Sequence, residues 1–480
     1  MSTYHMQQAS TYHMQQASML VGTLYASICK KCPRLLRLFE LHQMQKASTL
    51  VITPFLYLVF LFCFSNFTFS QETDTIDYIS ESNKIYNPSI KSLLLYRNGF
   101  DQSPPLILLN SGEKLKLSFD DMEGGSKEFT YTIVHCDADW KPSDLRQYEY
   151  IDGYYEDYIY DYDFSFNTLR PFTHYQFVFP TEDLAPTKSG NYILKVYYED
   201  PDSIYFTRRF MVLDQKVDIN AIVKQASEIA DRNYKQEVDF ELVTTNYSVS
   251  NPFIGLKIVL LQNERQDNAI RDLKPKMMIG NKIDYNFEKG NVFNGGNEYR
   301  TADIKSMRYN SEFVASIEKD YEGYAVYLMP EKKRTFEVYK TIDDINGRMK
   351  IKTEDGNNSD TEADYIAVHF SLSYPAPSID GDFHIYGALT DRTFSDESKM
   401  TYNFKEKAYE KTLILKQGYY NYQYVFLPKG ETTGDETFVE GNHWETENDY
   451  TIYVYYRQPG ETYDRLIGVK HVNSLESFGK

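Results

Sequence analysis

The sequence predicts an all-β protein: β-sandwich domains in tandem behind a secretory leader. Three observations predict it. From Ile90 onward apolar residues alternate with polar ones at period two, the pattern of strands with one buried face. Turn signals such as Ser103-Pro104-Pro105, Asn110-Ser111-Gly112 and Glu123-Gly124-Gly125 fall between these runs. The composition is also skewed, with 43 Tyr against 2 Trp. Tyrosine suits pleated, half-buried surfaces, so this bias favours sheets over helices.

The leader comes first. STYHMQQAS at 2–10 recurs at 10–18, a low-complexity duplication with no core-forming pattern. Lys46 then precedes an apolar run from Leu50 to Phe64 that ends in SNFTFSQ. A basic flank, an apolar stretch and small residues at the exit make a signal peptide over 44–70, rather than a membrane anchor. Met44 is the expected start, and residues 1–43 are not expected in the mature protein. Without residues 1–70 the chain keeps 46 basic against 68 acidic residues, a net charge of −22. Such a surface repels phosphate backbones and anionic lipid, which excludes nucleic acid as a partner and a direct electrostatic grip on membrane. Of four cysteines only Cys136 lies beyond the leader, so no internal disulfide is expected; it reads as a small buried apolar side chain.

Three domains are expected in the remainder, over 71–214, 215–375 and 376–480. In the first, Phe129, Tyr131 and Ile133 share one strand face. Tyr192, Leu194, Val196 and Tyr198 share another. Ser189-Gly190-Asn191-Tyr192 looks like the tyrosine corner of immunoglobulin-like sandwiches, and a strand over 206–213 closes the domain. In the middle segment Val238, Phe240 and Leu242, then Leu256, Ile258 and Leu260, read as strands. A short helical turn is expected over 267–273 before Pro275, and 290–297 reads as a loop. SYPAPSIDGD at 373–382 reads as the clearest linker. Beyond it Tyr420, Tyr422, Tyr424 and Phe426 share a face, as do Tyr450, Ile452, Val454 and Tyr456. The layout of 376–480 is similar to early-set sandwiches such as glycogen-binding modules, with Phe394 as the large aromatic in the expected loop.

Little of the chain reads as chemistry. Beyond the leader the histidines are His135, His174, His369, His384, His443 and His471, scattered over all three segments. No GxSxG elbow, HExxH, P-loop or dinucleotide fingerprint occurs, so no catalytic residue, cofactor or cofactor-binding residue is expected. His135, Asp137 and Asp139 alternate and would share a strand face. A polar strand end explains them better than a metal site, since no further His or Cys cluster completes a ligand set. Asp355-x-Asn357-x-Ser359-x-Thr361 mimics a calcium loop but carries Ile366 where the bidentate Glu belongs, and reads as a solvated turn. The unusual stretch runs from His135 to Phe166, HCDADWKPSDLRQYEYIDGYYEDYIYDYDFSF, where tyrosines alternate with acids. An edge strand guarded by charges and a recognition surface both account for it. The expected partner surface comprises His135, Asp137, Asp139, Trp140, Tyr148, Tyr150, Tyr154, Tyr155, Tyr158, Tyr160 and Tyr162.

Ten segments in order carry a resemblance: LSFDDMEG at 117–124, YTIVHCDADWKPSDL at 131–145, EYIDGYYED at 149–157, FSFNTLRPFTHY at 164–175, SGNYILKVY at 189–197, FMVLDQKV at 210–217, NVFNGGNEYR at 291–300, EADYIAVHFSL at 362–372, LKQGYYNYQYVF at 415–426 and YVYYRQPGETYDRLIG at 453–468. The chain resembles the plug proteins of the type IX secretion system over nearly its whole mature length. Gln266 departs from the pattern, standing where a tryptophan is expected. The resemblance implies a periplasmic, non-enzymatic protein associated with the outer membrane only through its partner. That partner is the giant β-barrel translocon, whose periplasmic mouth the plug closes. A periplasmic or surface glycan-binding protein is the alternative reading.

Overall fold

A computed structural model describes residues 83–478; the leader expected over 44–70 lies outside the described residues. The first sandwich is built from β1 (Lys84–Ile85), β2 (Ile90–Arg97), β3 (Leu106–Leu108), β4 (Leu115–Asp121), β5 (Phe129–Cys136), β6 (Ile151–Gly153), β7 (Asp157–Ile159), β8 (Tyr162–Phe164), β9 (Thr173–Phe179), β10 (Leu184–Pro186), β11 (Gly190–Tyr198) and β12 (Ile204–Leu213). One sheet runs β1-β12-β11-β5-β7, with β3 parallel to β12; the facing sheet runs β2-β4-β9-β8. Alternation decides which side chains meet between them. Phe119 stacks on Tyr175 at 5.1 Å and meets Phe129 and Phe206 edge-on at 5.2 and 4.9 Å. Each such ring is worth roughly 1.5–3 kcal/mol of burial, plus a smaller term for ring geometry.

The second sandwich starts with β13 (Asp218–Gln225), β14 (Lys235–Val243), β15 (Leu256–Gln262), β16 (Ile270–Arg271), β17 (Met277–Ile279), β18 (Lys282–Asp284) and β19 (Val292–Asn294). The chain then builds a third sandwich before finishing the second. The third contains β20 (Arg300–Asp303), β21 (Val314–Lys319), β22 (Tyr324–Leu328), β23 (Met349–Ile351), β24 (Tyr365–Ser373), β25 (Gly381–Tyr386), β26 (Thr401–Asn403), β27 (Ala408–Lys416) and β28 (Gly418–Pro428). β29 (Asp449–Tyr456) and β30 (Arg465–Asn473) return to the second, where β29 pairs along the whole of β15, from Leu256 opposite Tyr456 to Gln262 opposite Tyr450. The cores follow the same division. Val238, Phe240 and Ile258 pack with Tyr450, Ile452 and Val454, whereas Ala302 and Val326 pack with Tyr420 and Tyr424. The proline-punctuated stretch after Ser373 joins β24 in one sheet to β25 in the other, both facing this third core.

The fold is all-β, as expected, and the tyrosine corner occurs twice. Tyr192 donates its hydroxyl to the Lys188 carbonyl at 2.9 Å, and Tyr420 donates to the Lys416 carbonyl. Both corners have the spacing Lys-x-Gly-x-Tyr. Two local expectations differ. Residues 267–273 form no helical turn: the chain bends at 266–268 and β16 pairs with β15. The 290–297 loop contains β19, which pairs with β14. At β19 a partner strand distant in sequence overrides the local turn propensity, whereas β16 folds straight back onto the preceding strand β15.

A candidate partner surface on the edge of the first sandwich

The Tyr-Asp segment leaves the body of the protein in stages. β5 ends at Cys136, and Asp137 reverses the chain: its Oδ1 accepts from the amides of Asp139 at 2.9 Å and Lys141 at 3.0 Å. Trp140, at φ 69°, turns its ring in among Ile193, Met211, Leu261 and Tyr453, between the first and second sandwiches. The Arg209 guanidinium lies 4.4 Å from the ring centre. Asp139 stays exposed, 3.3 Å from the Lys257 ammonium.

His135 faces inward. Its Nδ1 lies 2.8 Å from Ser143 Oγ and its Nε2 3.3 Å from the Ser189 carbonyl, with the Tyr192 ring edge-on at 4.9 Å. Burial pushes its pKa down to about 4, so the ring is neutral at pH 7. Gly190 is required here: a Cβ would lie 2.6 Å from His135 Nε2, and φ is +144°. Tyr150 is buried too. His135, Trp140 and Tyr150 therefore serve the core and present no surface to a partner. The expected common face of His135, Asp137 and Asp139 does not form, because the strand stops at Cys136. Among the described residues no group of three or more His, Cys, Asp and Glu side chains is placed to hold a metal ion.

The remaining tyrosines are brought together on the outside. β6 pairs with β10, away from the main sheets. The Tyr154 amide donates to the Asp183 carbonyl at 2.6 Å, and the chain then runs as β7 along β5 and as β8 along β9. One segment thus supplies the last strand of both sheets. Tyr154 and Tyr160 are 69% and 71% exposed, and Tyr148, Tyr155, Tyr158 and Tyr162 are exposed as well. The rings of Tyr158 and Tyr160, 5.8 Å apart, wall off two open grooves. One, of about 890 Å³, is lined by Tyr154, Tyr155 and Tyr197; the other, of about 590 Å³, by Lys116, Asp161 and Phe177. Exposed apolar rings in this density are what a binding surface offers and a scaffold edge avoids.

Phe164, Phe166 and Leu169 extend the ridge and are exposed. They were not among the expected surface residues, although the alternation Tyr162-x-Phe164-x-Phe166 carries the signal for the first two. Phe336 and Val338, on the crossover from β22 to β23, form another exposed apolar spot that no sequence pattern marks.

The far end of the ridge is fastened to the third sandwich. The Phe166 amide donates to the Thr361 carbonyl at 2.9 Å. The amides of Leu169 and Arg170 donate to the Asp364 carboxylate at 2.9 and 3.3 Å. Beneath lies a buried ionic junction. Asp120 on β4 accepts from His174 Nδ1 at 2.7 Å, from Lys416 Nζ at 2.6 Å and from the Tyr365 hydroxyl at 2.6 Å. Burial by itself would raise the Asp120 pKa, but Lys416 and His174 hold it below the usual carboxylate value. The ridge is therefore held rigidly against two sandwiches.

Other sequence candidates are structural. Asp355 is taken up by protein donors: Ser306 Oγ at 2.7 Å, the Met307 amide at 2.7 Å and Gln417 Nε2 at 3.0 Å. Phe394 packs against His384 and Tyr386 and closes on Gly434, where a Cβ would lie 2.4 Å from its ring. It is no open platform for a sugar. Gln266 is exposed and accepts from Arg271 Nη2 at 3.0 Å.

The chain is similar to known proteins at two levels. A family model described as the type 9 secretion system plug protein first domain matches residues 90–214. Among solved structures, a hypothetical protein from Parabacteroides merdae is 39% identical with a TM-score of 0.80, covering 82% of this chain and 99% of its own. The C-terminal domain of the Streptococcus pyogenes antigen I/II-family protein AspA covers 79% of this chain and 99% of its own, but at 9% identity and a TM-score of 0.13 it bears on nothing. No curated protein matches.

Proposed function

From the premise that this chain belongs to the type 9 secretion system plug protein family, we propose that it acts as a folded stopper on the outer-membrane translocon of that system. In this reading it works in the periplasm, without catalysis, and seats on the periplasmic mouth of the β-barrel while no cargo occupies the channel. It touches the membrane only through that partner. Family membership carries the reading. The physical requirements agree with it: a wide pore leaks unless a bulky, stiff body covers it, and three sandwiches braced by buried ion pairs make such a body. Seating must also be reversible. A ridge of tyrosines interleaved with acids favours that, because it offers contact area at low entropic cost together with a wet, polar rim.

The test is affinity recovery of tagged protein from its own outer membranes in mild detergent, paired with a dye-entry assay on cells lacking it. The barrel is expected to co-purify and the deletion to let dye in. A clean preparation without the barrel, or an envelope as tight as before, would overturn the proposal.

A further inference from the structure

The ridge has a main-chain side as well as a row of rings. β8 is the last strand of its sheet, paired with β9 on one side only. The Asp161 carbonyl accepts from the Gln176 amide at 3.0 Å, and the Ser165 amide donates to the Phe172 carbonyl at 2.9 Å. Main-chain groups alternate in direction along an antiparallel strand, so Asp161, Asp163 and Ser165 turn theirs toward β9. Tyr162 and Phe164 then turn their N–H and C=O groups outward. One position on, the protein uses this outward row itself, where the Phe166 amide pairs with the Thr361 carbonyl of the third sandwich.

An exposed edge is a hazard that proteins ordinarily blunt with lysine, proline or a covering loop. Lysine and proline are absent: 147–169 contains no Lys, Arg or Pro. The segment instead holds Glu149, Asp152, Glu156, Asp157, Asp161 and Asp163. Side chains beside the edge are aromatic and open, with Phe164 60% exposed.

We infer that β8 is a docking edge for an extended, Lys- or Arg-bearing segment of a partner protein, which adds as a further strand by pairing with Tyr162 and Phe164. The inference rests on the stopper reading for the identity of the partner, but not for the chemistry of the edge. Main-chain pairing fixes the register of the incoming strand. The acids select basic residues, and the rings of Tyr160, Tyr162 and Phe164 cover its apolar side chains.

The probe is a capped octapeptide of alternating Arg and Val, titrated into the purified protein at physiological salt. Its counterpart with every amide N-methylated keeps the charges and side chains but has no main-chain N–H donor. The first is expected to bind at least about tenfold more tightly than the second, and to protect the Tyr162 and Phe164 amides from hydrogen exchange. Phe164→Pro, which removes an outward donor but no bond to β9, should weaken binding about as much, and clearly more than Phe164→Leu, which loses the ring but keeps the donor. Equal binding of both peptides, no binding of either, or unprotected amides on binding would overturn the inference, leaving charge attraction or ring stacking. A carbohydrate held by the rings would likewise leave those amides unprotected. Peptide pairing without barrel recovery would sink the stopper reading alone. Barrel recovery with exchanging Tyr162 and Phe164 amides would sink the docking edge alone.

Discussion

Replacing Asp120 by Ala tests how the aromatic ridge is held in place. Asp120 is fully buried where the first sandwich meets the third, and it is the counter-ion of Lys416, itself 2% exposed. The substitution removes three short hydrogen bonds and leaves an ammonium group away from water. Removing one partner of a buried pair costs about 3–5 kcal/mol. Lys416 retains the Asp360 carbonyl at 2.6 Å and the face of Phe172 at 4.2 Å, which places the expected loss near the lower end, about 3 kcal/mol. Lys416→Met in the same background should recover much of that loss, because the stranded charge goes with it. The readout is urea unfolding followed by tryptophan fluorescence, with Trp140 reporting at the boundary between the first and second sandwiches. pH supplies an independent check. The folded-state pKa of Asp120 is lowered, so its contribution is complete above the unfolded value of about 4 and is lost as pH falls through the lower folded value. Asp120→Asn should flatten the acid limb below about pH 4. An Asp120→Ala loss under about 1 kcal/mol, or an unchanged acid limb in Asp120→Asn, would refute the view that this pair braces the junction.

Tyr154→Ala, Tyr155→Ala and Tyr158→Ala combined should lower barrel recovery at least about tenfold while changing unfolding stability by under about 1 kcal/mol, since all three rings face solvent; unfolding at room temperature would show that they belong to the core. His135 carries a pKa near 4 against an unfolded value of about 6.5. Its contribution is complete above pH 6.5 and falls away toward pH 4, in all by about 3 kcal/mol; comparing urea midpoints of the wild type and His135→Gln across that range should show the variant losing less. Tyr192→Phe and Tyr420→Phe each delete one corner hydrogen bond and should each cost about 1 kcal/mol in the same assay, with the second sandwich, which has neither residue, unaffected.

Much of the fold is legible in the alternation. β5, β11, β14, β15, β28 and β29 lie where period-two runs predict them, because a strand with one buried face must place apolar side chains at every second position. The corner at Tyr192 was legible from the run Ser189-Gly190-Asn191-Tyr192 just before a strand. Its twin at Tyr420 was visible in the same spacing once the first was known. The pairing of β15 with β29 was not legible, since nearly two hundred residues separate them in sequence and no local pattern names a distant partner.

The ridge divides in the same way. Sequence alone determined that the chain is all-β and acidic, and that the stretch after Cys136 is crowded with tyrosines. Composition and period express what each residue prefers, and those preferences are local. Only the tertiary structure decided which of those residues face out. His135, Trp140 and Tyr150 are drawn inside because the end of a strand, an Asp137 turn and the approach of a second sandwich make room for them. Tyr154, Tyr158, Tyr160 and Phe164 are left outside because β7 and β8 are the last strands of their sheets and these rings stay exposed beside them. Burial is a property of neighbours, and neighbours are assigned only when the whole chain has folded.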